Sequence, residues 1–239
     1  MIYTRDAVFI HVPKTGGMSV TRFLVNALDC PVTVVAPANA EAHSMGLAAS
    51  PSAAAKLNHV RGDRHETCEQ AVSLIRAHSW PMPPAAFAMI RHPADLMLSY
   101  YRHMRKPVVW KLRGMSAETL GGIPKLAMDL PFDAFCQATA FYGMQDDDLM
   151  AYYTSSGLAA LDIVPLPEIR AYLYWRFGRN RNFGQSALEH KNRSIEPVPE
   201  DAVSAETDAY ITSMYPRVSQ LYCSTLGAGA WCSGASVQA

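Results

Sequence analysis

The fold is decided by one stretch near the start of the chain, Ala7-Val8-Phe9-Ile10-His11-Val12-Pro13-Lys14-Thr15-Gly16-Gly17. Its first six residues are mostly apolar and rich in β-forming types, which predicts a short buried strand. Residues 13–17 break that pattern. From Ser19 to Leu28 apolar residues recur at helical spacing, which predicts a helix. A strand, a glycine-containing loop and a helix in this order are typical of an α/β protein.

A loop between a strand and a helix is suited to binding an anion. It presents unpaired N–H groups and the positive end of the helix dipole. Gly16 and Gly17 allow positive φ and close approach of the backbone to phosphate oxygens. Lys14 adds a mobile positive charge, and the hydroxyls of Thr15 and Ser19 are candidates to complete the oxygen shell.

The order of residues in the loop argues against two common nucleotide sites. A Walker loop has its lysine after the glycines and a hydroxyl placed for magnesium. Here Lys14 precedes the glycines, and the upstream glycine is missing. A metal-dependent kinase or NTPase is therefore disfavoured. The chain also lacks a G-x-G-x-x-G pattern after a strand, so a dinucleotide fold has no support.

The segment His11-Val12-Pro13-Lys14-Thr15-Gly16-Gly17-Met18-Ser19 closely resembles the 5′-phosphosulfate loop of sulfotransferases that use 3′-phosphoadenylyl sulfate (PAPS), in particular the carbohydrate-type group. In that family the loop holds the 5′-phosphate and the sulfuryl group, and its lysine stabilises charge on the leaving phosphate. Met18 departs from the usual threonine. The resemblance implies donor contacts for Pro13, Lys14, Thr15, Gly16, Gly17, Met18 and Ser19, with Lys14 also catalytic.

A second segment resembles another motif of the same family. Phe87-Ala88-Met89-Ile90-Arg91-His92-Pro93 matches a strand that ends in R-x-P, and Ser99 follows the arginine by eight residues. In the family this arginine and serine grip the 3′-phosphate of the donor. The residue types suit that role, because an arginine fork binds phosphate in a bidentate manner. Leu96 stands where many relatives have a second arginine.

A third, less specific segment is His190-Lys191-Asn192-Arg193-Ser194. It resembles a late loop in which the family often places an Asn–Ser segment near the nucleotide. Lys191 and Arg193 are therefore candidate contacts of the 3′-phosphate. The alternative is a solvated surface run, which is the commoner role of paired basic residues.

Transfer of a sulfuryl group needs an acceptor oxygen in line with the sulfur, positive charge on the departing phosphate and a base for the acceptor proton. The leading candidate for the base is His65, at a predicted helix start in Arg64-His65-Glu66-Thr67. This opening resembles a motif of some bacterial members of the family. The alternatives are Glu66, His59 and His43, whereas His11 on the strand is expected to be structural.

Further patterns predict the rest of the fold. Buried strands are expected at 85–90 and 161–164, and helices at 19–28, 66–77, 95–104, 132–139, 146–155, 166–177 and 202–226, the last interrupted near Pro216. This alternation favours a mostly parallel sheet covered by helices. Together with the resemblance it predicts one sulfotransferase domain over 1–239, a three-layer α/β sandwich of P-loop-NTPase-like type. Segments 36–58 and 106–130 match nothing in the family and are expected to be variable insertions or a lid.

Composition excludes several functional classes. The 239 residues carry 21 basic and 21 acidic side chains, so a surface built to follow nucleic acid is not expected. Five scattered cysteines without a C-x-x-C pair indicate neither a disulfide framework nor a zinc site. No apolar run reaches the roughly 20 residues that span a bilayer. We therefore expect a cytoplasmic protein without a membrane span and without a bound metal.

Three functions are compatible with these patterns. The first is a sulfotransferase that moves a sulfuryl group from PAPS to a hydroxyl of a small-molecule or glycan acceptor and releases adenosine 3′,5′-bisphosphate (PAP). The second is a PAP-binding module without catalytic activity. The third, disfavoured by the loop, is a magnesium-dependent P-loop kinase.

Overall fold

The structure is a computed structural model, and it describes residues 1–155, 157–158, 160–180 and 203–226. These residues divide into two compact units. The first unit comprises residues 1–90, 150–180 and 224–226, and the second comprises residues 91–149 and 203–223. The predicted anion loop and His65 belong to the first unit, whereas Arg91 and Ser99 belong to the second.

A mixed six-stranded sheet forms the centre of the first unit. Its strands are β1 (Ile2–Tyr3), β2 (Val8–Ile10), β3 (Val32–Ala36), β4 (Leu57–Arg61), β5 (Ala86–Ile90) and β6 (Leu161–Pro165). Their order across the sheet is β4-β3-β1-β2-β5-β6. β1 is antiparallel to both of its neighbours, and every other pair is parallel. This confirms the predicted α/β class and the mostly parallel sheet.

The direction of chain progression reverses at β2. From β2 the chain continues to β3 and β4 on one side of the sheet, and it then returns to β5 and β6 on the other side. Such a switch point opens a crevice at the carboxyl ends of the strands, and ligands of open α/β sheets bind there. The predicted loop follows β2 directly. The topology therefore selects the same place as the sequence motif, on independent grounds.

The β2–β5–β6 side of the sheet is fixed by stacked aromatic rings. Phe9 on β2 and Phe87 on β5 are level in register and stack with ring centroids 4.8 Å apart. Phe87 also packs 5.1 Å from Tyr172, whose hydroxyl donates a hydrogen bond of 2.8 Å to Asp162 on β6. Burial of these large rings stabilises the strand whose end carries the loop.

The helices of the first unit are amphipathic or short. α1 (Gly17–Ala27) follows the loop, and its buried face includes Val20, Phe23 and Leu24. α4 (Cys68–Ala77) begins after Thr67, which forms a capping box with Gln70. The remaining helices are α2 (Glu41–Met45), α3 (Pro51–Ala54) and α10 (Ile169–Phe177), with 3₁₀ turns at Ala38–Ala40 and Leu166–Glu168.

The second unit consists of helices in its described residues. α5 (Pro93–Met104) is central to it and packs against α7, α8 and α11, whose bounds follow. Tyr215 joins distant segments, because its hydroxyl accepts from the Phe141 amide at 2.9 Å. The remaining helices are α6 (Pro107–Leu112), α7 (Gly122–Asp129), α8 (Phe132–Ala138), α9 (Asp146–Met150, its last residue in the first unit), α11 (Ala205–Met214) and α12 (Pro216–Thr225). No described helix has the length and apolar character needed to cross a bilayer.

Two of the predicted segments differ from the structure in part. Segment 36–58, expected to be a variable insertion or a lid, contains the short helices α2 and α3, and it also reaches into β3 and β4, which the sequence did not predict. Segment 106–130 carries two helices, α6 and α7. The predicted break near Pro216 is confirmed, since α11 ends at Met214 and α12 starts at Pro216. The prediction of a P-loop-NTPase-like sulfotransferase fold stays a prediction.

Candidate anion-binding site

The loop after β2 is a tight turn with two residues in left-handed backbone conformation. Lys14 has φ 61° and Gly16 has φ 88°, both in the left-handed region. For a lysine this conformation is uncommon, and strained backbone of this kind concentrates at functional sites. Gly16 is the N-cap of α1 and receives no side-chain hydrogen bond there. The first turn of α1 therefore has no side-chain cap, and its positive end faces the loop.

Gly17 is required because an imidazole ring lies against it. A Cβ at this position would meet ring atoms of His11 at 2.0 and 2.1 Å. His11 itself is 4 % exposed and stacks on Phe9 with centroids 5.8 Å apart. The expectation that His11 is structural fits this packing. The ring holds the first turn of α1 close to the end of β2.

The other loop residues differ in how accessible they are. Thr15 is fully buried, and its hydroxyl donates to the Val12 carbonyl at 2.9 Å, so it closes the turn from inside. Ser19 is half-buried, and its amide bonds to the Gly16 carbonyl at 3.0 Å. Met18 packs against the hydrophobic core, which gives its departure from threonine a structural role. Pro13 is buried and Lys14 is half-buried.

The structure places His65 beside the end of β2. Its Nδ1 lies 2.7 Å from the His11 carbonyl oxygen, and the two rings meet edge-on at 4.7 Å. A carbonyl only accepts hydrogen bonds, so Nδ1 carries the proton and Nε2 carries the lone pair in the neutral ring. Burial lowers the pKa of His65 below 6.5, against the opposing effect of this hydrogen bond. A neutral ring with a free lone pair on Nε2 is the form a general base requires.

The alternative bases are placed differently. Glu66 is buried, and its Oε1 accepts from the Asp63 amide at 2.7 Å, so its carboxylate holds the turn before α4. His59 lies on the edge strand β4 opposite Val34, and its Nε2 is buried without a hydrogen-bond partner. His43 is exposed on α2. Of the four candidates, His65 is the one whose ring contacts the strand that leads into the loop.

Arg91 and Ser99 are both found in the second unit. Arg91 is the residue after β5, and burial lowers its pKa while Asp95 opposes that shift. Ser99 is half-buried in the middle of α5. Leu96 is 2 % exposed, so the position where relatives carry a second arginine is here an apolar packing position. Lys191 and Arg193 lie outside the described residues.

Sequence reasoning missed a crevice next to the loop. Its lining includes His11 and Met18 from the loop region, with Arg64, Thr21 and Ser44. Thr21 lies one helical turn after Gly17, and Ser44 lies in the unmatched segment 36–58. Nothing in the local sequence marks these two hydroxyls, because a threonine in a helix and a serine in an alanine-rich segment are common surface patterns.

Comparisons with known proteins identify no relative of this chain. The chain matches no protein-family model, no curated protein and no solved structure. Within the described residues there is also no group of three or more His, Cys, Asp or Glu side chains placed to hold a metal ion. The features that bear on function are therefore the loop, the switch point and His65.

Acidification is expected to destabilise the protein through the buried His11 and the half-buried His65. Burial lowers the pKa of both His11 and His65 below 6.5, so between the folded and unfolded pKa values the unfolded chain binds more protons. Their stabilising contribution is complete above about pH 6.5 and is lost as the pH falls below it, by roughly 1 kcal/mol per histidine and pH unit. Urea unfolding between about pH 7.5 and 5.5 measures this slope. The His11→Phe variant keeps a ring and should show a shallower slope; an equal slope would contradict the assignment.

Proposed function

We propose that the chain is a PAPS-dependent sulfotransferase that transfers a sulfuryl group to an acceptor hydroxyl. The observation that carries the proposal is the coincidence of the loop with the topological switch point of the sheet. The loop resembles a phosphosulfate loop in sequence, and it follows β2, where ligands of open α/β sheets bind. Left-handed backbone at Lys14 and Gly16 supports a turn whose N–H groups face an anion.

In this proposal the loop and Lys14 bind the 5′-phosphosulfate part of the donor. The N–H groups at the start of α1 hold phosphate and sulfuryl oxygens, and Lys14 stabilises the charge that develops on the departing phosphate. The S–O bond to that phosphate breaks as the acceptor oxygen bonds to sulfur, and PAP leaves with the electron pair. Arg91 and Ser99 are proposed as ligands of the 3′-phosphate on the strength of the sequence resemblance.

His65 is proposed as the base that takes the proton of the acceptor hydroxyl. The support is the hydrogen bond from Nδ1 to the His11 carbonyl, which leaves the Nε2 lone pair as the acceptor of that proton. The lowered pKa keeps the ring neutral near pH 7. As in phosphoryl transfer, positioning and electrostatics supply most of the rate acceleration, and the base adds about 10²–10⁴-fold.

Calorimetry with PAP in the presence of EDTA tests the proposal. We expect metal-free binding in the micromolar range or tighter, because the fixed charges of the loop replace the metal of a Walker site. Arg91→Ala should weaken PAP binding much more than binding of adenosine 5′-monophosphate, which lacks the 3′-phosphate. Equal weakening of both nucleotides would remove Arg91 from the 3′-phosphate. Absence of PAP binding would refute both the sulfotransferase and the PAP-binding module, and a requirement for magnesium would favour the P-loop kinase.

A further inference from the structure

Positive charge is concentrated at the end of α5 and on the short helix α6. Between Leu96 and Ala117 the chain has five lysines and arginines and no acidic residue, although the whole protein carries 21 basic and 21 acidic side chains. Lys111 and Arg113 are exposed, and the ion pairs between described residues involve neither of them. This part of the second unit is therefore locally basic in a chain that is neutral overall.

Two aliphatic side chains are exposed within this basic segment. Leu112 is 83 % exposed, more than any other large apolar residue in the described part of the chain, and Val108 is 59 % exposed. They lie four residues apart on α6, so they share one face of the helix, and the exposed Lys111 borders that face. Exposed apolar side chains rimmed by polar ones are typical of an interaction surface.

The other side of α6 is packed against the protein, so the exposed face is held in place. Val109 is 6 % exposed, and the indole N–H of Trp110 donates to the Met104 carbonyl at 2.6 Å. Just before α6, the Arg105 guanidinium lies 5.1 Å from the centre of the Tyr101 ring and donates to its hydroxyl at 2.9 Å. The exposed aliphatic side chains are therefore presented by an anchored helix and do not come from an unpacked segment.

The chemistry of this face favours a lipid surface as its partner. Aliphatic side chains enter the boundary between headgroups and acyl chains, while lysine and arginine extend their charge to anionic headgroups. An anionic glycan would use the charges but would gain nothing from an exposed leucine. The ring on α6, Trp110, is half-buried and its N–H is already bonded, so it offers no open stacking surface. Protein interfaces, in turn, are depleted in lysine.

We propose that α6 docks the protein on the surface of an anionic lipid bilayer. Val108 and Leu112 enter the headgroup region, and Lys106, Lys111 and Arg113 bind the anionic headgroups. Two aliphatic side chains or three charges alone would bind weakly, so the contact needs both together and is reversible. The inference does not depend on the proposed sulfotransferase function.

Flotation of the whole chain with lipid vesicles tests the proposal. Vesicles of phosphatidylcholine with about 30 mol % phosphatidylglycerol are compared with vesicles of phosphatidylcholine alone. We expect at least tenfold tighter binding to the anionic vesicles, and weaker binding as the salt concentration rises to about 0.5 M, because salt screens the charges. Equal binding to both kinds of vesicle, or binding to neither, would overturn the proposal. Binding of soluble heparin without binding of anionic vesicles would assign the face to an anionic glycan instead.

Two variants separate the contribution of charge from that of insertion. Lys111→Gln combined with Arg113→Gln should weaken binding to the anionic vesicles about 25-fold, at about fivefold per charge. Leu112→Ser should weaken it about tenfold, because the side chain no longer enters the apolar boundary. Unchanged vesicle binding in either variant would refute the docking of this face on lipid.

Matched variants in the first unit control for net charge and for exposed apolar surface. Arg76→Gln combined with Arg170→Gln removes two exposed charges from α4 and α10, and Met82→Ser removes an apolar side chain that is 37 % exposed. Both controls should bind the anionic vesicles as the unaltered chain does. A loss as large as that of the α6 variants would show that overall charge or general exposure causes binding, against the proposal. Tm of all variants should stay within about 2 °C, since the substituted side chains are exposed.

Discussion

Replacing Lys14 with asparagine is expected to weaken PAP binding about 10- to 150-fold, because the variant loses charge-assisted contacts to phosphate of about 1.5–3 kcal/mol. Asparagine is the appropriate replacement. Lys14 has φ 61°, and asparagine tolerates the left-handed region better than most residues. The loop should therefore keep its backbone, and a cooperative thermal unfolding transition checks that the variant is folded. Calorimetry with PAP and thermal unfolding measure the two effects.

The comparison with His65→Gln separates donor binding from proton transfer. In our proposal His65 acts on the acceptor, so His65→Gln should keep PAP affinity and lose turnover of labelled PAPS by about 10²–10⁴-fold. Lys14→Asn should lose both PAP affinity and turnover, the latter by about 10²–10³-fold. Full turnover in His65→Gln would remove His65 as the base. Unchanged PAP affinity in Lys14→Asn would remove the lysine from the donor site.

Gly17→Ala is expected to lower both stability and PAP affinity. The new Cβ would lie 2.0 Å from the His11 ring, and that ring is held between the loop and Phe9. Overpacking of this kind costs about 1–3 kcal/mol, which corresponds to a decrease in Tm of roughly 2–10 °C. The first turn of α1 must then shift away from the end of β2, and its N–H groups no longer point at the bound anion. Thermal unfolding and PAP calorimetry measure the outcome.

Two further variants show whether the steric clash with His11 causes the loss of stability in Gly17→Ala. His11→Ala together with Gly17→Ala should recover part of the stability lost by Gly17→Ala, since the smaller side chain makes room for the methyl group. Gly121→Ala is the matched control. Gly121 is the N-cap of α7 with φ −143°, and a Cβ there meets nothing within 4 Å, so Gly121→Ala loses only cap preference and its Tm should fall less than that of Gly17→Ala. A normal Tm and normal PAP affinity in Gly17→Ala would show that His11 does not press on the helix.

Three buried strands could be predicted from sequence, namely β2, β5 and β6. β3 was missed although Val32–Ala36 is also apolar and mostly buried, and the polar edge strand β4 and the very short β1 carry no strand signal. β2 and β5 are continuous apolar runs, and buried parallel strands have that pattern. β4 lies at the sheet edge, and its residues Asn58, His59 and Arg61 give it a polar sequence without a strand signal. β1 has only two residues, too few for any periodicity.

Only the part of the candidate site that is continuous in sequence could be predicted. The loop and the first turn of α1 are one continuous segment, so residues 13–19 could be identified from their spacing. The contact of His65 with the His11 carbonyl joins residues 54 positions apart. Thr21 and Ser44 line one crevice although they come from separate helices. Such pairs depend on packing of the sheet and helices, and a single sequence does not reveal that packing.

The antiparallel strand β1 has a mechanical consequence for this site. Backbone hydrogen bonding from β3 and β4 to β2, β5 and β6 passes through residues 1–3 in the described sheet. Val34 and Val35 lie on one side of β1, and His11 follows β2 on the other side; all three line the crevice, with Ile2 between them. A substitution that distorts β1 should therefore shift β3 relative to β2 and move one wall of the crevice against the other, while the loop stays attached to β2 and, through it, to β5.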